Sequence, residues 1–226
     1  MRHEAPENLN TGPASALAGT GVSVLIQLRY QPFRAAHFLP SSCRFDAGGG
    51  KWQRDTVFHR VGNFRLQNQS GQLVTAKNLE GSVYVSSFFS ATCTKECLKL
   101  NSQLQRVQEK FRKEPRLKLI SFSVDPQHDS VPVLAGYAEQ YGAIAGKWYF
   151  LTGAADSVQR LAVQDYKIAQ TESATIGSAV GLVHSQRLVL VDRDKQIRGI
   201  YDGLDPKDVD RLMTEIRILL YTYDHD

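Results

Sequence analysis

From Val61 onward the apolar and polar positions fall into regular periods. Asn63-Phe-Arg-Leu-Gln-Asn68 alternates as a strand does, Gln69-Ser-Gly71 is a turn, and Gln72-Leu-Val-Thr-Ala76 returns as the second arm of a hairpin. Gly81-Ser-Val-Tyr-Val-Ser-Ser-Phe-Phe89 is apolar and rich in β-forming residues, the mark of a buried strand. Leu100, Leu104, Val107 and Phe111 then recur at helical spacing, predicting a long amphipathic helix that runs to about Lys113 and is ended by Glu114-Pro115. A second strand is expected over Leu117–Val124. It leads into the loop Asp125-Pro-Gln-His-Asp129 and a helix striped by Leu134, Tyr137, Ala138 and Tyr141 and stopped at Gly142. Trp148–Leu151 reads as a short buried strand and Asp156–Gln164 as a third helix. Residues 168–181 are a Gly/Ser/Thr-rich loop. Leu182–Val191 and Gln196–Tyr201 form a strand pair around the turn Asp192–Lys195. The closing helix carries Val209, Leu212, Met213, Ile216, Leu219 and Leu220 on one face. Strands alternating with helices, then a closing hairpin and a last helix, give an α/β fold: a thioredoxin-like sheet with an added N-terminal β-hairpin.

The first part of the chain lacks such periods. Residues 1–50 are rich in Pro, Gly, Asn and Ser and end in Gly48-Gly-Gly50, so residues 1–55 are expected to be a weakly structured tail or linker and 56–226 the folded domain. No run of about 18 apolar residues predicts a membrane-spanning helix. The best apolar run, Gly21–Leu28, is short, and Glu4 and Glu7 precede it where a secretory leader would carry positive charge. Leu39-Pro-Ser-Ser-Cys43 has the outline of a lipoprotein cleavage site, but Pro40 and the weak apolar run before it oppose that reading.

Charge excludes one class of function. Residues 1–60 hold 7 Lys/Arg against 4 Asp/Glu, and the remaining chain 20 against 19. The domain is nearly neutral and lacks the basic stripe that a nucleic-acid surface requires. Three cysteines are too few to staple a scaffold.

Two of those cysteines carry the chemistry. Cys93 and Cys97 stand where the strand ending at Phe89 hands over to the long helix. A helix N-terminus offers free N–H groups and partial positive charge, both of which favour thiolate over thiol. With both residues in the first helical turn, the i, i+4 spacing would set their Cβ atoms roughly 5–6 Å apart. That is near enough to share a metal, and a small movement would reach the Cβ separation of about 4 Å that a disulfide needs. The competing reading is that the pair are small buried hydrophobes. Asp125 and Asp129 can be read as a carboxylate pair for acid–base work. The simpler reading makes Asp125 a loop-turning residue and Asp129 a cap or dipole partner at the start of the following helix. His128 reads as a solvated loop residue, Cys43 as a spare thiol, and His3, His37, His59 and His225 have no evident partners.

Four stretches in order resemble the SCO family, copper proteins that help assemble cytochrome c oxidase. They are Phe-Phe-Ser-Ala-Thr-Cys93-x-x-x-Cys97, then Ser121-Phe-Ser-Val-Asp125-Pro-x-x-Asp129, then Trp148-Tyr-Phe-Leu-Thr-Gly153. The fourth is Val183-His184-Ser185, followed by Leu-Val-Leu-Val-Asp192 and Ile-Arg-Gly-Ile-Tyr-Asp202. The resemblance runs from about Val61 to the C-terminus. It implies a thioredoxin fold and copper bound by Cys93, Cys97 and His184, with the loop of Asp125 and Asp129 beside the site. Two thiolates with one imidazole, the set so implied, suit Cu(I), and the same set can hold Zn²⁺ with an open fourth position. The implied role is a metallochaperone, not a turnover enzyme, that delivers copper to a terminal oxidase subunit or reduces that subunit's cysteines, served in turn by a thiol reductant. It also implies a periplasmic or other extracytoplasmic location, with any membrane association through an anchor not evident here. The alternative is a thiol–disulfide oxidoreductase with no metal in its cycle. A thioredoxin proper is disfavoured because three residues separate the cysteines and no proline lies just before Leu182. A peroxiredoxin is disfavoured by Ser86 and Ser90 where it has Pro and Thr. The chain departs from the family pattern at Thr94 and Leu98, where proline usually follows each cysteine, and at Val183, where Asp is common. These differences bear on redox poise and on the tightness of a metal site.

Overall fold

The computed structural model describes residues 59–93, 95–168 and 185–225, together with the backbone of 42–46 and 51–55. Within the stretch expected to be a tail, β1 (Ser42–Asp46) and β2 (Lys51–Asp55) pair antiparallel as a two-stranded sheet. The next elements are β3 (Arg65–Asn68), β4 (Leu73–Thr75), a 3₁₀ turn at Ala76–Leu79, β5 (Val83–Phe89) and α1 (Glu96–Lys110). They are followed by β6 (Leu117–Ser123), α2 (Val131–Gln140), β7 (Trp148–Thr152), α3 (Ala155–Arg160), β8 (Ser185–Val191), β9 (Ile197–Asp202) and α4 (Pro206–Asp224).

Seven strands form one sheet in the order β4-β3-β7-β6-β5-β8-β9. Its centre is parallel, β5 against β6 and β6 against β7; β3 and β8 join antiparallel on either side. A parallel centre must be covered on both faces, and β5 is accordingly buried along its whole length. Alternation divides its side chains between two cores. Val83, Val85 and Phe89 meet α1, α2 and α4 through Leu100, Leu104, Tyr137, Leu212 and Ile216. Tyr84 and Phe88 point the other way, into a core closed by Val61, Phe64, Val158, Leu161 and Tyr166. Hydroxyls on the strands find partners across the sheet: Ser87 Oγ lies 3.0 Å from Ser121 Oγ, Trp148 Nε1 donates to Ser121 Oγ at 3.0 Å, and Ser86 Oγ donates to the Tyr166 hydroxyl at 3.0 Å.

Two elements differ from the sequence reading. The long helix begins at Glu96, so Cys93 lies outside it and only Cys97 is helical. The expected helix over Asp156–Gln164 is split into α3 and a π-helical turn, Leu161–Asp165, which closes on a Tyr166 N–H to Leu161 carbonyl bond of 2.8 Å. The wider turn sets Leu161, Ala162 and Tyr166 together against the second core. The strand expected from Leu182 is described from Ser185, and its first three expected residues lie outside the described residues. α4 starts with Pro206 in its first turn and Asp205 accepting from the Lys207 N–H at 3.0 Å.

Candidate metal centre

The loop between β5 and α1 is a tight turn held from two sides. The Cys93 N–H donates to the Ser90 carbonyl at 3.2 Å, the Thr92 N–H to Ser90 Oγ at 3.2 Å, and the Ser90 and Thr92 hydroxyls are 2.7 Å apart. From outside the loop, both carboxylate oxygens of Asp129 accept from the Ala91 N–H, at 3.2 and 3.1 Å. Asp129 Oδ2 also accepts from Ser123 Oγ at 2.5 Å. Asp129 is fully buried. Its carboxyl is pushed above the ordinary aspartate range, burial being the larger cause and the bonds from Ser123 and Ala91 opposing it. This corrects the expectation of a helix cap. Ser130 is the N-cap of α2, and no side chain caps it. Asp129 instead ties the end of β6 to the cysteine loop, which parallel pairing of β5 with β6 brings alongside.

α1 has Lys95 as its N-cap, with no side-chain oxygen over its first N–H groups. A sulfur stands there instead: Cys93 Sγ accepts from the Cys97 N–H at 3.4 Å. Free N–H groups at a helix start draw negative charge toward this sulfur, which favours thiolate at Cys93 when the pair is reduced. In the structure Cys93 and Cys97 are joined by a disulfide, with Cα atoms 5.8 Å apart. The two sulfurs differ in access. Cys97 is 3 % exposed and packs into the core beneath α1, whereas Cys93 is partly exposed. An attacking thiolate therefore reaches Cys93, and Cys97 is the sulfur displaced.

The loop after β6 is organised by Asp125. Its carbonyl accepts from the His128 N–H at 3.1 Å and the Asp129 N–H at 2.8 Å, its N–H donates to Ser123 Oγ at 3.2 Å, and its carboxylate lies 2.8 Å from His128 Nδ1. That bond raises the exposed His128 imidazole above its ordinary value. Asp125 thus turns the loop, as expected, and has His128 as its ion-pair partner. Asp125 and Asp129 each have their own hydrogen-bond partners. His184 lies outside the described residues. Among the described residues no three His, Cys, Asp or Glu side chains gather in a metal-binding group.

Sequence reasoning passed over Ser90 and Ser123. Both sit at strand ends on the cysteine side of the sheet, and Ser123 stands two residues before Asp125, the position from which a serine hydroxyl reaches a loop N–H.

The SCO1 protein homolog of Bacillus subtilis (strain 168) is 27% identical over 176 residues, covering 76% of this chain and 88% of that protein. The structure of BsSco, a member of the Sco family of cytochrome c oxidase assembly proteins in which a disulfide switch was identified, superposes with a TM-score of 0.62. It shows 26% identity and covers 72% of this chain and 94% of that one. Arabidopsis thaliana ScoI with copper bound gives a TM-score of 0.58 at 22% identity, covering 74% of this chain and all of that one. The SCO1/SenC family model matches residues 53–220. A thioredoxin-like sheet that sets a cysteine pair at the mouth of its first long helix, matched over that length, places the chain in the SCO1/SenC family.

Proposed function

We propose that this protein is a copper metallochaperone for the binuclear copper site of cytochrome c oxidase, and that it carries one copper ion on Cys93, Cys97 and His184. The observation that carries the proposal is the cysteine pair itself: two sulfurs at a helix start, one of them reachable from solvent. Reduced, they offer two soft thiolates, the donor type that selects Cu(I), and an imidazole completes a set that tolerates both copper states. The relatives support the cargo and the destination, since one is copper-bound and another belongs to a family of oxidase assembly proteins. His184 enters through the Val183-His184-Ser185 stretch, which leads directly into β8, the strand beside β5. Asp129 holds the loop that carries Cys93, and Asp125 shapes the segment that presents Asp129. Both act as supports of the site and not as ligands.

The disulfide gives the carrier an off state. Oxidation ties up both sulfurs, so copper binding requires a prior two-electron reduction by a partner thiol. That thiol attacks Cys93, forms a mixed disulfide and leaves Cys97 as the freed sulfur. A disulfide of this kind belongs to an oxidising compartment, which agrees with an extracytoplasmic location. Among the described residues no helix is long and apolar enough to cross a membrane. The second reading, a thiol–disulfide oxidoreductase without metal, is favoured by the same bonded pair. A Cu(I) titration under chelator competition separates the two. The carrier reading predicts one copper per reduced chain, none when the pair is oxidised, and a loss of affinity in His184→Ala that His128→Ala does not show. An absence of stoichiometric copper in the reduced chain would leave the oxidoreductase.

A further inference from the structure

One polar side chain in the helix that carries Cys97 has its acceptor oxygen unused. Asn101 is fully buried in α1. Its Nδ2 donates to the Tyr137 hydroxyl at 3.0 Å, while Oδ1 is buried with no partner. A buried amide oxygen left unpaired is costly, and native proteins seldom keep one without reason. Asn101 lies one helical turn after Cys97, on the same face, and helical side chains lean toward the N-terminus, which here is toward Cys97. Cys97 is itself buried and packs in the same core as Tyr137. In the disulfide its sulfur carries no hydrogen and has nothing to give that oxygen.

We infer that Asn101 is a positioning residue for the redox pair, its amide engaging the Cys97 sulfur once the disulfide is reduced. As a thiol, Cys97 donates its S–H to Asn101 Oδ1. As a thiolate, it is served by the same amide turned over, with Nδ2 toward sulfur and Oδ1 accepting from the Tyr137 hydroxyl. Burial holds the Tyr137 phenol well above its ordinary value, with neighbouring Tyr141 adding to this, so its hydroxyl keeps its proton and can donate or accept. Both reduced forms gain a hydrogen bond that the disulfide lacks. The balance of the pair therefore moves toward the dithiol, and the disulfide is the more easily reduced. The inference rests on the redox role of Cys93 and Cys97 proposed above, and does not depend on copper.

The test equilibrates the full chain with a glutathione redox buffer. Two glutathione thiols supply two electrons and two protons. The Cys93–Cys97 bond breaks, an S–H forms on each cysteine, and the glutathiones leave joined as their own disulfide. Asn101→Leu keeps the size and removes both polar atoms. The expected result is an equilibrium constant for reduction about tenfold lower than wild type, a potential about 30 mV more negative. A purely structural asparagine would alter melting of both redox forms alike and leave that constant unmoved, so an unchanged constant, or a shift toward the dithiol, overturns the inference. If Asn101→Leu does not fold, the wild-type chain still decides. Its Asn101 side-chain amide resonances should differ between oxidised and reduced protein, and identical resonances overturn the inference. Failure of the wild-type pair to cycle at all would defeat the redox reading and this inference together. A pair that cycles normally while ignoring Asn101 would defeat the inference alone.

Discussion

Removal of the Asp129 carboxylate should loosen the cysteine loop, and the cost follows from what the carboxylate holds. It accepts from the Ala91 N–H through both oxygens and from the buried Ser123 hydroxyl. In Asp129→Ala both donors lose their acceptor, and each buried donor left unpaired costs about 1–3 kcal/mol. The sum, about 2–6 kcal/mol, corresponds to roughly 4–24 °C in melting temperature for a domain of this size. Asp129→Asn should cost far less, about 1 kcal/mol. Its Oδ1 still accepts from Ala91, and the Ser123 hydroxyl can rotate to accept from Nδ2. Urea melts of the two variants in the same redox state measure the difference, and equal losses would refute the bracing role. The sign of the pH dependence gives a second check. Burial raises the native pKa of Asp129, so the native state holds its proton more tightly than the unfolded chain. This contribution to stability is fully present below the unfolded value of about 3.9 and is lost as pH rises through the raised native value. Wild-type stability relative to Asp129→Asn should therefore decline across that window and stay level above it. A relative stability that climbs with pH would mean that the bonds from Ala91 and Ser123 outweigh burial.

The asymmetry of the sulfurs predicts unequal reactivity. In a Cys43→Ser background, Cys93 of the Cys97→Ser variant should be alkylated by iodoacetamide at least about tenfold faster than Cys97 of the Cys93→Ser variant, because access and thiolate character both favour Cys93; similar rates would contradict the assignment of attacked and displaced sulfur. Gly203 packs directly against α1. A Cβ there would lie 2.1 Å from Leu100 Cδ1 and 2.8 Å from the Gln186 carbonyl, so Gly203→Ala should destabilise by about 1–3 kcal/mol in a denaturant melt, and a neutral result would show that the β9–α4 connection can shift.

What the sequence made legible is what depends on local period. β5, β6 and β7 are mostly apolar and almost continuously buried because they sit in the covered centre of a sheet, and the stripes of α1 and α4 match their buried faces. The position of Cys93 and Cys97 at the strand-to-helix junction was readable for the same reason. What was not readable depends on partners far apart in the chain. Asp129 looked like a helix cap because it precedes α2. Its actual partner, Ala91, is 38 residues away and is reached only because β5 and β6 lie side by side. At the start of α1 the Cys97 N–H is met by the Cys93 sulfur, for which no composition rule exists. Asn101 did leave a trace, a polar residue one turn below Cys97 on the buried face of α1, which carries one other polar residue, Gln108. Its meaning emerges only once Tyr137 of α2 is placed beside it. The π-helical turn at Leu161–Asp165 keeps the spacing of a helix in sequence while widening it in space, which periodicity does not distinguish.

The proposed copper site of two sulfurs and one imidazole is open to X-ray absorption at the copper edge, on reduced protein loaded with one equivalent of Cu(I). The wild type should show a first shell of two sulfurs and one nitrogen, and His184→Ala should keep both sulfurs and lose the nitrogen. A shell without sulfur, or a nitrogen that survives the loss of His184, would contradict it.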